Sequence, residues 1–186
     1  MTIQMTFPVL RSERLVLREM RDGDLEKLCA YLGDFEVSKS LSTQPFPFSE
    51  TDGRAYIKQA LENDTAENVT WTIELDGQLC GTFKVKDLQG AVYIGYWLGQ
   101  EHWGSGLMSE ALRAVLFYLF EDRQISVVHG GVFKENPASL NVLTKLGFTV
   151  TGEGTRVCRA RDNIQLEEFQ LQLTRADFLR LNRQDN

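Results

Sequence analysis

Hydrophobic positions along the chain alternate between a two-residue period, typical of strands, and the longer period typical of helices. The N-terminal half is predicted to form, in order, a strand at Arg14–Arg18, a helix begun by Asp22, a loop or broken helix at Asp34–Phe48, a helix begun by Ser49, and strands at Val69–Leu75 and Gln78–Val85. The last two strands are joined by Asp76-Gly77, a pair typical of a two-residue hairpin turn. At Ser49 we expect a capping box in which Asp52 replaces the usual glutamate or glutamine.

The C-terminal half continues the alternation of strands and helices. Its predicted elements are a strand at Val92–Leu98, a helix at Leu107–Phe120, a strand at Ser126–Phe133, a short helix at Pro137–Leu146, and strands at Phe148–Gly152, Val157–Arg161 and Gln165–Leu173. The pattern therefore predicts an α+β (mixed α/β) fold around one sheet, as a single domain over residues 1–186. The strand–helix–strand unit through residues 92–133 is expected to be a right-handed parallel crossover.

The composition limits the classes of partner that the protein is expected to bind and the compartment in which it is expected to occur. With 42% hydrophobic and 25% charged residues, the chain is typical of a globular domain, and its net charge of -6 argues against a direct nucleic-acid partner. The three cysteines are widely spaced and the two histidines lack metal-ligand spacing, so neither a disulfide framework nor a metal site is expected. The most apolar run, Ala114–Phe120, is too short to span a bilayer. A cytoplasmic protein without membrane association is predicted.

Gly104 and Gly106, one on each side of Ser105, form the first segment whose residues suggest a binding chemistry. They stand between the strand predicted to end at Leu98 and the helix predicted to begin at Leu107. A glycine turn that opens a helix leaves backbone N–H groups free at the positive end of the helix dipole, which favours phosphate. A turn that only starts a helix is the alternative. The segment is not a P-loop, because no Gly-Lys-Ser/Thr follows, and it lacks the third glycine of a dinucleotide fingerprint.

The second such segment is the predicted helix start near Asn136. Asn136 is expected at the N-cap, Pro137 at the first helical position and Ser139 at the third, and Gly147 ends the helix. A well-capped helix would explain these residues without any further role. The side chains of Asn136, Ser139 and Asn141 could also face the same cleft as the glycine turn.

In this order and spacing the two segments resemble the GNAT superfamily of N-acetyltransferases. The resemblance is to its Rim-type branch, which acetylates ribosomal-protein N-termini and related amines. The matching residues are Gly95–Leu98, Trp103–Ala111, Asn136 with Ser139, and Leu146-Gly147-Phe148. Leu10–Leu15, the loop with Pro45 and Pro47, and Gly152-Glu153-Gly154 are also similar to the branch, so the resemblance covers nearly the whole chain.

The resemblance implies a mostly antiparallel sheet of about seven strands with one splayed parallel pair, flanked by about four helices. Acetyl-CoA, as co-substrate and without a metal, is expected in the V-shaped gap between Val92–Leu98 and Ser126–Phe133. The implied cofactor-binding residues are Trp97, Leu98 and Gly99 along the pantetheine arm, Trp103, Gly104, Ser105, Gly106, Leu107 and Met108 around the pyrophosphate, and Asn136, Ser139 and Asn141 near the thioester. Ser139 is the implied catalytic residue, which helps to protonate the departing thiolate.

The same resemblance implies acetyl transfer to a primary amine by direct attack on the thioester. The acceptor is a protein N-terminal α-amine or a small amine, and the enzyme is a monomer or a homodimer. A backbone N–H of Trp97 or Leu98 would stabilise the developing oxyanion. The acceptor is expected to be selected by Asp34–Phe48 and by the hairpin near Arg156–Glu168.

Two residues depart from the pattern of the superfamily. Tyr93 stands where a carboxylate often precedes Ile94, and Glu101 stands where glutamine or arginine is common. A general base is therefore not identified. The candidates are Glu74, Glu101 and Glu168, each expected to be a solvated surface residue. Binding of an already neutral amine and proton loss through water are equal alternatives.

Two other classes of function are compatible with these residues. A non-catalytic acyl-CoA-binding or regulatory module would tolerate Tyr93 and Glu101, but Asn136 and Ser139 argue against it. A nucleotide-binding protein could use the glycine turn, but the lysine of a P-loop is missing.

Overall fold

The structure is a computed structural model that describes residues 6–184 of the chain. Within that range the strands are β1 (Leu10–Arg11), β2 (Leu15–Arg18), β3 (Val69–Leu75), β4 (Gln78–Lys86), β5 (Val92–Leu98), β6 (Val127–Phe133), β7 (Thr149–Cys158) and β8 (Ile164–Thr174). The α-helices of the same range are α1 (Leu25–Leu32), α2 (Phe35–Ser38), α3 (Glu50–Glu62), α4 (Leu107–Phe117), α5 (Pro137–Lys145) and α6 (Arg175–Gln184). The described chain thus has more strands and helices than the resemblance implied.

All eight strands of the described chain form one sheet in the order β1-β2-β3-β4-β5-β6-β8-β7. Its pairs are antiparallel except β5 and β6, which confirms the expected mostly antiparallel sheet with one parallel pair. β5 and β6 pair at Val92–Val128 and Tyr93–His129. Beyond these pairs a cavity separates the two strands, so the expected V-shaped gap is present.

The two faces of the sheet carry separate apolar clusters. The larger one packs α4, α5 and α6 against the sheet and buries Trp71 and Phe83 completely. The smaller one packs α1, α2 and α3 on the opposite face, around Trp97 of β5. Side chains of a strand alternate between the faces, so neighbouring residues of β5 contact different helices. No helix within residues 6–184 is long and apolar enough to cross a membrane.

The C-terminal third differs from the sequence prediction. Phe148–Gly152 and Val157–Arg161 were predicted as two strands, but Thr149–Cys158 is one strand, and a 3-10 turn follows at Arg159–Arg161. The strand continues past its glycines because β8 pairs along its length, with a bulge at Val150/Gly152. Helix α6 was not predicted, because its sequence is mostly polar. It is held by Phe178, which is 1% exposed.

Of the N-terminal caps predicted for the first two helices, the one at Asp22 is wrong and the one at Ser49 is confirmed. Asp22 does not cap the first helix: Asp22–Asp24 is a 3-10 turn, and it is the carboxylate of Asp24 that accepts the Arg21 N–H at 3.0 Å. The capping box at Ser49 is confirmed, since Ser49 Oγ accepts from the Asp52 N–H at 3.2 Å and Asp52 accepts from the Ser49 N–H at 2.8 Å.

Asp24 is the centre of a buried polar cluster between α1 and the sheet. Both of its oxygens accept from the guanidinium of Arg18 at 2.8 Å, and Thr72 Oγ1 donates to it at 3.1 Å. Burial alone would raise the pKa of Asp24, but the bonds from Arg18 and from the Arg21 N–H lower that pKa below its ordinary value. The folded state therefore favours the carboxylate form.

We expect Asp24→Asn to lower the free energy of unfolding by about 3 kcal/mol at pH 7, because it breaks a buried ion pair. The pKa of Asp24 is lower in the folded state than in the unfolded state. Its stabilisation is therefore present above about pH 4 and is lost as pH falls further, so wild type and variant should converge in acid. Urea titrations at several pH values measure this. Asp34→Asn is the control, because Asp34 caps α2 through one amide bond that asparagine also makes; equal losses in both variants would contradict the assignment.

Candidate active site

A cavity of about 560 Å³ passes through the sheet where β5 and β6 diverge. It is lined on one side by the N-termini of α4 and α5, and on the other by residues 36–37 and 39–42, Arg156 and Glu168. Two adjacent glycines of β6 show that these sides lie on opposite faces. A Cβ at Gly130 would meet Leu143 of α5, whereas a Cβ at Gly131 would meet Arg156 and Glu168. The gap therefore gives two ligands access from opposite directions.

The glycine turn opens α4 at the first of these mouths. Gly106 is the N-cap residue with φ +80°, and Gly104 has φ +69°, a region of backbone conformation that favours glycine. The N–H of Glu110 bonds to the Gly106 carbonyl at 3.1 Å, so the N–H groups before it precede the helical hydrogen-bond ladder. Three of these residues, Leu107, Met108 and Ser109, line the cavity. The arrangement suits a phosphate group.

Hydrogen bonds from Ser12 and Arg14 in the N-terminal segment hold this turn in place. Arg14 donates from Nη1 to the Ser105 carbonyl at 3.0 Å and from Nε to Glu110 at 2.7 Å, and Ser12 Oγ donates to Glu110 at 2.7 Å. Burial would raise the pKa of Glu110, but these bonds and the Arg14 N–H lower it below its ordinary value. These hydrogen bonds were not predicted from the sequence, although both of the segments that they join resemble the Rim-type branch.

Helix α5 presents the second set of polar groups. Asn136 is the N-cap residue, as predicted, and its Oδ1 accepts from the Ser139 N–H at 3.1 Å. Ser139 Oγ lies 3.0 Å from the hydroxyl of Tyr96 on β5. Burial raises the pKa of Tyr96 to about 12, although the Ser139 bond acts in the opposite direction. Tyr96 therefore stays protonated at neutral pH and can donate a hydrogen bond to Ser139.

The Tyr96–Ser139 contact was not predicted, although Tyr96 belongs to a motif that the sequence displays. Alternation along β5 places Tyr96 on the face of Ile94 and Leu98, which pack in the larger cluster with α5. Its ring stacks on Phe83 with centroids 5.5 Å apart. The alternation of side chains along β5 was therefore the sequence feature that could have predicted this contact.

Most of the predicted cofactor-binding residues come together. Those that line the cavity are Trp97, Leu98, Trp103, Gly104, Gly106, Leu107, Met108, Asn136, Ser139 and Asn141. Gly99 and Ser105 lie outside the lining. The Gly99 N–H bonds to the Cys80 carbonyl at 2.9 Å and its carbonyl accepts from His102 N–H, while Ser105 Oγ donates to the His102 carbonyl. The contacts of this set with acetyl-CoA stay a prediction.

The three candidate bases have different surroundings. Glu74 pairs with Arg18 and Arg21 away from the cavity, and Glu101, exposed, accepts from the hydroxyl of Tyr31. That bond lowers the pKa of Glu101. Glu168 was expected to be solvated, which is wrong: its side chain is 5% exposed and it lines the cavity. It is buried because β8 lies inside the sheet, between β6 and β7.

We expect Tyr96→Phe to lower kcat about fivefold, because Ser139 loses one hydrogen bond worth about 1 kcal/mol that orients it. The ring stays against Phe83, so the Kd of acetyl-CoA should change less than twofold. In a Ser139→Ala background the same change should have no further effect, which steady-state kinetics of the double variant measures. Tyr118→Phe is the control, since Tyr118 accepts a bond from Arg123 away from the cavity. Full additivity of the two losses would show that Tyr96 does not act through Ser139.

Comparison with known proteins gives a family match and several relatives. Residues 14–149 match the family described as "Acetyltransferase (GNAT) domain". The uncharacterized N-acetyltransferase p20 of Bacillus licheniformis is 33% identical over 149 residues, covering 77% of this chain and 83% of that protein. The ribosomal-protein-serine acetyltransferase of Escherichia coli is 24% identical over 154 residues, covering 80% and 86%. Among solved structures, RimJ of Mycobacterium smegmatis in complex with CoA-disulfide has a TM-score of 0.77 at 20% identity, covering 92% and 88%.

These findings have different weight. The structural likeness to RimJ, at 20% identity, shows the fold alone. The domain match spans most of the chain, and the similarity to p20 covers more than two thirds of both proteins. The chain therefore belongs to the GNAT family of acetyltransferases.

Proposed function

We propose that the protein transfers the acetyl group of acetyl-CoA to a primary amine that attacks the thioester directly. The observation that carries this proposal is the cavity through the sheet. It joins the free helix N-terminus of α4 and the hydroxyl of Ser139 with a separate mouth on the opposite face. Such a cavity lets a large activated donor and an acceptor meet inside the protein without sharing an approach.

The residues present fit acetyl-CoA. The N–H groups that open α4 suit its pyrophosphate, and Asn136 and Asn141 lie along the cavity at α5. Within residues 6–184, Trp97 Nε1 is a buried side-chain nitrogen without a hydrogen-bond partner, on a residue that lines the cavity. An unpaired buried donor costs about 1–3 kcal/mol, so a ligand carbonyl there would be stabilising. When bound, acetyl-CoA supplies an activated acyl carbon and a thiolate leaving group.

The side chains then have a limited task. Attack by a neutral amine forms the C–N bond and breaks the C–S bond, and one amine proton finally resides on sulfur. Ser139 Oγ would deliver that proton, and Tyr96 would orient Ser139 through their 3.0 Å contact. A backbone N–H of Trp97 or Leu98 would stabilise negative charge on the acyl oxygen. No covalent bond to the protein is required.

A protein N-terminal α-amine is the acceptor that we place first. The E. coli relative reported above is named a ribosomal-protein-serine acetyltransferase, and its similarity covers 80% of this chain. A small amine is the second candidate, because the cavity is large enough for either.

A thiol-release assay with acetyl-CoA and a panel of peptides and small amines tests the proposal. We expect thiol release together with a mass increase of one acetyl group on at least one amine. Tight acetyl-CoA binding without thiol release on any amine would contradict catalysis and favour an acyl-CoA-binding module. Stronger thermal stabilisation by ATP than by acetyl-CoA would instead favour a nucleotide-binding protein.

A further inference from the structure

An ion pair between the buried Glu168 and the exposed Arg156 lies at the mouth of the cavity that faces away from α4 and α5. Glu168 on β8 is 4% exposed, and its carboxylate accepts from Arg156 at 2.7 Å (Oε2 to Nε) and 3.1 Å (Oε1 to Nη2). Both residues line the cavity. These two bonds leave one guanidinium nitrogen, Nη1, and a lone pair on each carboxylate oxygen for another partner.

Gly131 of β6 makes room for this pair. A Cβ at that position would lie 2.9 Å from both Glu168 Oε2 and Arg156 Nη2, closer than side chains tolerate. The charged groups therefore sit directly over the backbone of β6 at the gap. A ligand that contacts them is next to the strands between which the acetyl group is proposed to lie.

The segment 39–42 forms a wall of the same mouth. Cys158 Sγ donates to the carbonyls of Lys39 and Leu41 at 3.3 and 3.4 Å. Arg159 donates from its N–H to Ser42 at 3.3 Å and from Nη1 to Thr43 at 3.1 Å. The loop after α2 is thus fixed to the end of β7, and it gives the mouth at Arg156 and Glu168 a wall that hydrogen bonds hold in place.

The charged residues that line the cavity argue against a polycationic acceptor. Besides Glu168, the carboxylates that line it among residues 6–184 are Glu36, paired with Lys39 Nζ at 2.6 Å, and Glu135, paired with Arg161. Each therefore has a basic partner, as Glu168 has in Arg156. A polyamine needs several uncompensated carboxylates, so a polycation gains little here.

We propose that Glu168 and Arg156 form the subsite that binds the acceptor amine. Glu168 accepts a hydrogen bond from the acceptor ammonium, and Arg156 Nη1 donates to an oxygen on the neighbouring carbon. The acceptor class is then an α-aminoacyl group, present in a peptide N-terminus and in a free amino acid. This inference rests on the proposed function and names residues that select its substrate.

Kinetics with four acceptors test the subsite: the peptide Ala-Ala-Ala, L-alanine, ethylamine and spermidine. We expect wild type to prefer an aminoacyl acceptor over ethylamine and spermidine. Activity on the peptide but not on alanine identifies a peptide N-terminus, and the reverse identifies a free amino acid. Glu168→Gln should raise the KM of the preferred acceptor about tenfold to a hundredfold, with less than a twofold change in the Kd of acetyl-CoA.

Arg156→Gln separates recognition from folding, because a ratio of two substrates does not depend on the folded fraction. We expect the kcat/KM ratio of the preferred acceptor to ethylamine to fall about tenfold, since one charge-assisted hydrogen bond is lost. Glu153→Gln is the matched control: Glu153 pairs with Lys134 at 2.6 Å outside the cavity lining. Its ratio should equal that of wild type.

The outcomes separate the two proposals. Thiol release by wild type with an unchanged acceptor KM in Glu168→Gln, or an unchanged ratio in Arg156→Gln, overturns the subsite and leaves the acetyltransferase proposal intact. A preference of wild type for spermidine also overturns it. Absence of thiol release with every amine in the panel overturns the proposed function and the subsite with it.

Discussion

Replacing Gly106 with valine is expected to raise the Kd of acetyl-CoA at least about a hundredfold. Gly106 has φ +80°, and a β-branched residue in this region costs at least about 1–2 kcal/mol, so the turn must shift to relieve the strain. A shift at the N-cap moves the N–H groups of Leu107 and Met108, which we propose to hold the pyrophosphate. The new side chain would also lie near Arg14, since a Cβ at Gly106 would be 3.6 Å from Arg14 Nη2.

Gly77→Val is the matched control for this experiment. Gly77 also has φ +80°, and a Cβ there would meet nothing within 4 Å, but it lies in the hairpin between β3 and β4. Both variants should lose similar stability in thermal unfolding, whereas isothermal titration calorimetry should show lost acetyl-CoA binding only for Gly106→Val. Retained binding in Gly106→Val would place the pyrophosphate elsewhere.

Ser139→Ala is expected to lower kcat about a hundredfold, the lower end of what a positioned general acid contributes. The Kd of acetyl-CoA should change less than threefold, because the Ser139 N–H still donates to Asn136 and keeps the start of α5 in place. The loss should therefore appear in kcat rather than in KM for acetyl-CoA. Steady-state kinetics combined with calorimetry separates the two quantities.

Thr144→Ala removes a hydroxyl from the same helix without touching the cavity. Thr144 Oγ1 donates to the Leu140 carbonyl at 2.9 Å, within α5 itself. We expect wild-type kcat in this variant. If Ser139→Ala also keeps the wild-type kcat, Ser139 has no part in proton delivery, and another group or water protonates the thiolate.

Sequence periodicity predicted the parts of the fold that depend on local pattern. The core strands around Trp71 and Phe83 and the capping box at Ser49 follow from neighbouring residues, and the structure has them. Helix α6 depends on the burial of one aromatic residue, Phe178, against the distant Phe117 and Phe120. Such tertiary contacts override a weak local signal, so a single sequence gives little warning of them.

The residues of the candidate site likewise fall into local motifs, which the sequence could predict, and contacts between distant residues, which it could not. The turn at Gly106 and the cap at Asn136 are local motifs that could be recognised directly. The Tyr96–Ser139 contact joins residues 43 positions apart and depends on how α5 packs on β5. Arg156 and Glu168 meet only because β7 and β8 pair in one register. That register was not evident from the sequence, because a 3-10 turn joins the two strands.

The divergence of β5 and β6 also bears on solubility. It creates two strand edges in the middle of a sheet, and an open edge is a template for pairing with another polypeptide chain. Here the strands remain joined at Val92–Val128 and Tyr93–His129, so the opening tapers to ordinary strand spacing. An invading strand cannot run along a wedge of this shape, whereas a thin, flexible ligand can lie in it. The protein can thus keep backbone groups available inside its sheet without exposing an edge that promotes aggregation.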